Sequence, residues 1–577
     1  MSLTRLGPKL TAVRPQFGSA PARVLVVLVL GLVALLVMVL LVGSLVPGAT
    51  LAGRLPGSSS SARAGTYTQD LVTYLDQRMR LAAALLLVLW IGLAVLRRYL
   101  QDLLRNLVED LARGMRWPPL ADLVPVGVLS VLAIGVRIPF MSQPMRYDEA
   151  LSYNEFASRP LYYALSFYPD PNNHLLNTLL VHLTSAAMGS APWVLRLPAF
   201  VAGVLLVPAT YALAHVLFDR RAAVMASALV AVSSYVVEYS TNSRGYTLQA
   251  LCFVVTLCLA VVAARRDSPT ALLLASLVAA LGAYALPTMF YGGAIVAAWF
   301  VLESRHAKLS RITRGHLVVS GLLLGLVVTL AYLPVVLVSG ADKLVFNRFV
   351  VPLDLAQLTT ELPVSLARTW GFWNRDLSVV VSALLVVGFW IACVAEARHG
   401  RTPIGLLAPG VCLVIVLVQR VAPFERVWLF GLPVYFAVAG GGLSRLLAVR
   451  RLPSYSAAVV GGVLAAVVAY ATLNSGSILS SPETGAFPDA QAATRTLQQL
   501  LGPEDAVVTS VPASLPELQF YFGRAGMRID SLVRPPAEAR SVYVIAPPGV
   551  SPSVAGWGAP REIERFSGSA LLLLSRT

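Results

Sequence analysis

Two acidic residues, Asp148 and Glu149, stand side by side in the run Met145-Arg146-Tyr147-Asp148-Glu149-Ala150, just past the end of an apolar stretch. Carboxylates at a membrane surface carry a free-energy cost unless they are paired or used, so this pair needs a partner or a reaction. The two are the leading candidates for chemistry, as proton acceptors or as holders of a cation. The plainer reading of Asp148 is a surface pairing with Arg146.

Further polar residues fall where loops should meet the same side of the chain. Asp170, Asn172, Asn173 and His174 close the loop that Asp148 opens, and Arg196 follows at the next apolar span. Glu238, Arg244 and Tyr246 occupy a later turn, and Glu425 and Arg426 precede another span. Carboxylates and guanidinium groups gathered beside hydrocarbon suit a substrate with a charged head and a lipid tail.

What must position them is a membrane body. Of 577 residues, 57% are hydrophobic and 13% charged, and the mean hydropathy is +0.72. That excludes an ordinary water-soluble globule. Apolar runs of about 20 residues, enough for a hydrocarbon core of roughly 30 Å, recur along the chain. They predict about thirteen transmembrane helices, near 24–46, 80–97, 121–139, 192–217, 222–238, 246–264, 270–287, 289–303, 317–338, 377–397, 404–420, 427–446 and 455–474.

The net charge of +16 does not point to nucleic acid, because the basic residues collect in alternate short loops. Arg220 and Arg221, Arg265 and Arg266, Arg305 to Arg314, Arg398 and Arg401, and Arg445 to Arg451 mark those loops as cytoplasmic. The Asp-Glu loop and the C-terminus are then outside. A basic tail with Arg5, Lys9, Arg14 and Arg23 precedes the first span, which is too long for a signal-peptide core and reads as a retained anchor. The four cysteines, Cys252, Cys258, Cys393 and Cys412, lie inside apolar spans and imply neither disulfides nor a metal cluster.

Three regions follow. Residues 1–116 form a two-helix anchor with a Gly/Ser-rich outer loop at Pro56–Ser61 and an amphipathic linker, and residues 117–475 the membrane core. Residues 476–577 form a small α/β domain, with a helical pattern over 491–501 and strand-like runs at 506–509 and 542–545. A piece at Leu161–Leu165 should lie flat at the membrane surface. The fold class is thus an all-α polytopic membrane protein with a small extracytoplasmic α/β domain.

The motifs Arg146-Tyr147-Asp148-Glu149, Pro171-Asn172-Asn173-His174-Leu175-Leu176, Arg196-Leu197-Pro198 and Ser243-Arg244-Gly245-Tyr246 together resemble those of a known family. It comprises dolichyl-phosphate-mannose protein mannosyltransferases and aminoarabinose transferases, GT-C membrane glycosyltransferases of family 39 and its relatives. The resemblance spans about residues 120–475. It implies a polyprenyl-phosphate sugar as donor, a glycan, lipid or protein acceptor and a site on the outer side of the membrane, with no cofactor and no metal; the short loops and compact terminal domain point to a bacterial inner membrane.

It also implies roles. Asp148 matches the base that takes the proton of the acceptor hydroxyl, a group otherwise too weakly acidic to attack. Glu149 shares the catalytic loop or orients an arginine or sugar hydroxyls. The leaving lipid phosphate gains charge, which a guanidinium can hold in a bidentate way; Arg426 is the first choice, then Arg244, with Arg196 third. Each arginine is alternatively an anchor at a helix end. Arg146, Tyr147, Asn172, Asn173, His174, Glu238 and Tyr246 would bind substrate. His174 could contact the acceptor, join a divalent ion with Asp148 and Glu149, or simply cap the helix starting near Leu175. Trp370, Trp373 and Asn374 could stack on a sugar, although interfacial tryptophans are commonly anchors.

A lipid or glycan transporter is the rival from another class. It should carry polar groups at several depths and internal repeats, and neither pattern is visible.

Overall fold

The computed structural model describes residues 20–46, 62–112, 119–306, 309–345, 351–449, 455–483, 485–511, 513–527, 539–550 and 557–576. The basic tail Arg5, Lys9 and Arg14, the Gly/Ser-rich Pro56–Ser61, and the loop residues Lys308, Arg450 and Arg451 lie outside the described residues.

Among the described residues nine helices are long and apolar enough to cross a membrane. They are Ala22–Gly43, Thr73–Val95, Leu120–Phe140, Pro192–Leu217, Tyr246–Arg266, Arg314–Val338, Val379–Arg398, Glu425–Ala448 and Ser456–Asn474. A tenth is the bent pair Arg220–Val232 and Ser234–Ser240. Three expected spans are the shorter helices Pro269–Ala285, Met289–Ser304 and Ile404–Gln419, at about 24–26 Å just under the usual hydrocarbon thickness. Leu175–Met188, the helix that the sequence starts near Leu175, is also short and apolar and is not among the thirteen expected spans.

The first two helices pack together and, with Leu100 and Leu103 of the amphipathic helix Arg97–Ala112, share an apolar core with Val319, Leu323 and Leu326 of Arg314–Val338. They are therefore docked on the body. Deeper in, the helices Val379–Arg398 and Leu432–Val449 cross at glycines. A Cβ on Gly442 would lie 1.8 Å from the Gly388 carbonyl oxygen, so the backbones touch only because both residues lack a side chain.

Sequence periodicity reads 222–238 as one straight helix, but the chain bends there by 58°. The break frees carbonyls that hydrocarbon cannot solvate. Arg137, fully buried at the end of Leu120–Arg137, fills it, its Nη1 donating to Ala231 O at 2.6 Å and Ala133 O at 3.0 Å and its Nη2 to Val230 O at 3.4 Å. Thr472 donates to Val232 O at 2.8 Å. The bend turns Ser234–Ser240 and the buried turn Thr241–Gly245 toward the end of the bundle that carries Asp148.

Nor is the chain an α-helix where Arg426 was expected to open one. Glu425–Gly431 forms a tight 3₁₀ turn, and the α-helix runs Leu432–Val449. Pro433, with no N–H to give, fits the second position of that helix and favours a fresh start there.

The C-terminal unit holds helices Ala490–Leu500 and Leu515–Ala525 and a four-stranded sheet. Its strands are β1 (Ala506–Thr509), β2 (Ser541–Ala546), β3 (Arg561–Arg565) and β4 (Ala570–Ser575), in the order β1-β2-β4-β3. The β1–β2 pair is parallel, with Leu515–Ala525 lying between them in the chain, and the other pairs are antiparallel. Leu497, Leu518, Phe520 and Phe522 share a core with Met145, Ala150, Ala157 and Leu195, so this unit sits on the Asp-Glu loop.

Replacing Arg137 by Leu should strand the carbonyls of the bend in an apolar interior. The expected loss is about 2–5 kcal/mol, read as a lowered melting temperature in detergent, with Arg137→Lys intermediate.

Candidate functional site

Glu149 lies on the short helix Tyr147–Ser152 and is fully buried. Four hydrogen bonds saturate it. Arg196 donates from Nε at 2.8 Å and from Nη2 at 2.7 Å, the Ser243 amide donates at 2.6 Å and the Arg146 amide at 3.1 Å. Burial pushes this carboxyl up, but the Arg196 charge and these bonds outweigh it and hold it below its ordinary value. Arg196, also fully buried, donates further to the carbonyls of Met141, Gln143 and Pro144 at 2.7–3.0 Å.

This corrects two expectations. Glu149 has no lone pair left for a substrate proton, and Arg196 no donor left for a phosphate. Together they fix the loop that carries Asp148.

Arg146 is likewise committed. Its Nη1 donates to the carbonyls of Ser481 and Glu483 at 3.0 Å each, its Nη2 bonds the Ile478 carbonyl, and Glu238 faces it at 3.4 Å. It ties down the strap that follows the last membrane helix and is not placed to touch substrate. Glu238 also pairs with Arg375 at 2.5 Å and is fully buried, so it too is structural. Asn173, expected to bind substrate, instead bonds the carbonyls of Ala164 and Phe167 at 2.9 Å and accepts from Thr178 at 2.8 Å.

Asp148 differs from all of these. Its side chain keeps 17% exposure, its nearest cation is Arg244 Nη2 at 3.9 Å, and it carries no side-chain hydrogen bond among the described residues. Arg244 itself is mostly engaged, donating to Ser152 Oγ at 2.5 Å and to the Asn172 carbonyl at 3.0 Å. His174 does not cap its own helix. Its Nδ1 accepts from the Gly245 amide at 2.9 Å, at the start of the helix Tyr246–Arg266, and its Nε2 lies 3.2 Å from Arg244. Burial and the charges of Arg244 and Arg426 hold its imidazole well below its ordinary value, hence neutral. Tyr147 packs against Gly485 of the strap, whose φ of +72° only glycine adopts freely.

Arg426 is the other loosely held group. Its Nε donates to Tyr246 Oη at 3.0 Å, Glu483 lies 3.9 Å from its Nη1, and Phe424 stacks under its guanidinium at 4.5 Å. Two residues on, Trp428 enters the wall of an apolar cavity of about 480 Å³, lined also by Phe253, Trp370, Trp373, Phe430 and Tyr435. Among the described residues the indole N–H groups of Trp373 and Trp428 and the Tyr435 hydroxyl are buried without a hydrogen-bond partner. Trp370 and Trp373 both line this cavity, Trp370 remaining partly exposed.

Several residues of the site carried no signal in the sequence. Tyr239 bonds Glu483 through its hydroxyl, and Glu483 belongs to the strap, some 240 residues away. Glu517, on Leu515–Ala525 of the C-terminal unit, is fully buried, and among the described residues neither carboxylate oxygen has a side-chain or backbone hydrogen-bond partner in another residue. Burial, with the charges of Asp148 and Glu149 adding to it, pushes Glu517 up to about 8. Only a pairing of distant segments reveals these, and single-segment patterns cannot. Among the described residues no group of three or more His, Cys, Asp or Glu side chains could hold a metal ion.

The helical bundle, the charged loop after its first core helix and the small sheet-bearing unit define the GT-C fold. Residues 175–334 match the sequence profile of the dolichyl-phosphate-mannose-protein mannosyltransferases. Among solved structures, ArnT from Cupriavidus metallidurans bound to undecaprenyl phosphate superposes with a TM-score of 0.50 at 15% identity, over 78% of this chain and 97% of that one. The archaeal oligosaccharyltransferase AglB from Archaeoglobus fulgidus, in complex with an inhibitory peptide and a dolichol-phosphate, gives 0.45 at 14% identity, over 74% and 69%. The arabinofuranosyltransferase AftD from Mycobacteria gives 0.42 at 14%, over 80% and 40%. No curated protein matches the sequence.

Glu149→Ala should leave Arg196 buried and unpaired and reduce stability by about 3–5 kcal/mol, so folded protein is lost, whereas Asp148→Asn should melt within about 0.5 kcal/mol of the parent. Glu517 gives a pH signature. Its folded-state value is raised from 4.5 to about 8, so the folded chain holds a proton that the unfolded chain has released. Its stabilising contribution is full below 4.5 and lost as pH rises to about 8; thermal melts of Glu517→Gln should lack that component of the decline.

Proposed function

We propose that this chain is a membrane glycosyltransferase that moves a sugar from a polyprenyl-phosphate carrier to an acceptor hydroxyl, with inversion at the anomeric carbon, on the extracytoplasmic side. The observation that carries the reading is that one carboxylate without a side-chain hydrogen bond, Asp148, and a guanidinium close enough to feel its charge, Arg426, stand at the same end of the bundle, with Trp428, two residues past Arg426, in the wall of an apolar cavity.

In the step, the acceptor hydroxyl gives its proton to Asp148 while its oxygen forms a bond to the anomeric carbon. The bond from that carbon to the phosphate oxygen breaks, and the electron pair leaves with the lipid phosphate. Charge grows on that phosphate in the transition state, where Arg426 stabilises it more than in the ground state. His174, held neutral, orders the turn at Gly245 and adds no second positive charge beside Arg244. A retaining double displacement would need a second free carboxylate as nucleophile, and Glu149 is saturated.

The cavity beyond Trp428 suits the isoprenoid tail. The presence of undecaprenyl phosphate in the ArnT structure supports a carrier of this class. A bacterial inner membrane fits the compact C-terminal unit. Sugar and acceptor stay general: a hexose or pentose passed to a protein, lipid or glycan hydroxyl. No step is assigned to a metal or other cofactor.

Purified protein incubated with a panel of radiolabelled polyprenyl-phosphate sugars should release free lipid phosphate with one of them. With that donor, Asp148→Asn should cut turnover by about 10²- to 10⁴-fold with donor binding retained. Arg426→Ala should weaken donor binding by about ten- to a hundredfold. Full turnover by Asp148→Asn would remove the base, and unchanged donor binding by Arg426→Ala would return it to a helix-end anchor.

A further inference from the structure

A phosphate site built only from a guanidinium would hold the product of this reaction more tightly than the donor. The donor is a phosphodiester with one negative charge. The departing lipid phosphate is a monoester whose second pKa lies near 6, so it approaches two negative charges at neutral pH. Turnover requires something that distinguishes the two by charge.

Glu483 is placed to do so. Its side chain is about nine-tenths buried, its Oε2 lies 3.9 Å from Arg426 Nη1, and the Tyr239 hydroxyl, on the bent segment Ser234–Ser240, bonds the same oxygen. The other cations nearby are occupied elsewhere. Arg146 donates to the backbone carbonyl of Glu483 and faces Glu238, and Arg375 also pairs with Glu238. Glu425, the third carboxylate of this corner, faces Arg368 at 3.8 Å. Arg426 therefore has Glu483 as its own carboxylate partner, and the strap that carries Glu483 is pinned by Arg146 at Ile478, Ser481 and Glu483.

Resting on the reading of Arg426 as the phosphate site, we propose that Glu483 is a specificity-determining residue that admits the singly charged donor and drives out the doubly charged lipid phosphate. A fixed unit charge acts on a ligand in proportion to the ligand's own charge. Its repulsion of the product is about twice its repulsion of the donor. Burial holds the Glu483 carboxyl above its ordinary value, against the Tyr239 hydrogen bond and the Arg426 charge and together with Glu238 and Glu425. The Tyr239 hydrogen bond and the Arg426 charge both favour its charged form.

The test compares two short probes of equal hydrocarbon, farnesyl phosphate and its methyl ester, binding to the full-length protein in detergent at pH 8. Glu483→Gln should tighten the monoester about tenfold and the methyl ester only about threefold, the square-root relation that follows from halving the ligand charge. Added farnesyl phosphate should then inhibit turnover more strongly in the variant. Tyr239→Phe should shift the ratio the same way by a smaller factor, and Glu483→Asp should restore it, which a merely structural role would not do.

Equal shifts for both probes, or no shift in either Glu483→Gln or Tyr239→Phe, would overturn the inference. If Arg426→Ala weakens both probes while the ratio ignores Glu483, only the role of Glu483 fails. If the parent binds neither probe, or binds them without regard to Arg426, the phosphate site itself fails and the inference with it.

Discussion

The buried pair of Glu149 and Arg196 is the constraint on which the rest of this site hangs. Two charges removed from water are tolerated only when their geometry is good and every remaining donor and lone pair is used. Here that condition is met by drawing three separate stretches to one point: the loop Met141–Arg146, the start of Pro192–Leu217 and the turn at Ser243. Neighbouring residues of a helix point roughly 100° apart. Locking Glu149 inward on Tyr147–Ser152 therefore aims Asp148 elsewhere, toward Arg244 and partial exposure. The two acids look equivalent in the sequence and are physically opposite, one satisfied and one left available.

A second constraint acts through the break at Ser233. A straight span would carry Glu238, Tyr239 and the turn Thr241–Gly245 on along its own axis. Bending it by 58° requires partners for three carbonyls, and Arg137 and Thr472 supply them from two other helices. The bend lets Tyr239 meet Glu483 and Tyr246 meet Arg426. The strap after Ser456–Asn474 then closes the corner through Arg146. Site geometry is thus set by where buried backbone and buried charge find hydrogen bonds, more than by apolar packing.

That division explains what the sequence reveals. Membrane helices are legible because apolar length has no other use, and helices stand at all thirteen predicted positions, three of them as the shorter helices. The motif residues do converge, because loops on one side of a membrane share a small area. Their roles were less legible. Arg196, Arg146, Glu238 and Asn173 read as substrate contacts since a buried, saturated side chain and an available one are identical letters. β4, the run Ala570–Ser575, lacks the alternation that marks a half-buried strand because both its faces are covered, and β3 is nearly all charged. Glu483 and Glu517 lie in a region whose sequence resembles nothing informative, and their meaning depends on segments hundreds of residues away.

The distribution of polar groups also bears on a transport reading of the same residues. A permeation path must offer polar contacts through the membrane and open to each side in turn. The bundle between the Asp148 end and the opposite end is filled by buried apolar residues such as Leu229, Val230, Leu257 and Val261. At the opposite end the buried Glu303 already accepts from the Thr402 amide at 2.9 Å. Gly388 and Gly442 bring two helix backbones into contact, which suits a fixed scaffold better than helices that must separate in each cycle. The polar groups most open to a ligand gather at the Asp148 end, and buried ones deeper in, such as Arg137 and Ser227, are spent on backbone carbonyls, which favours chemistry at a surface over passage through it.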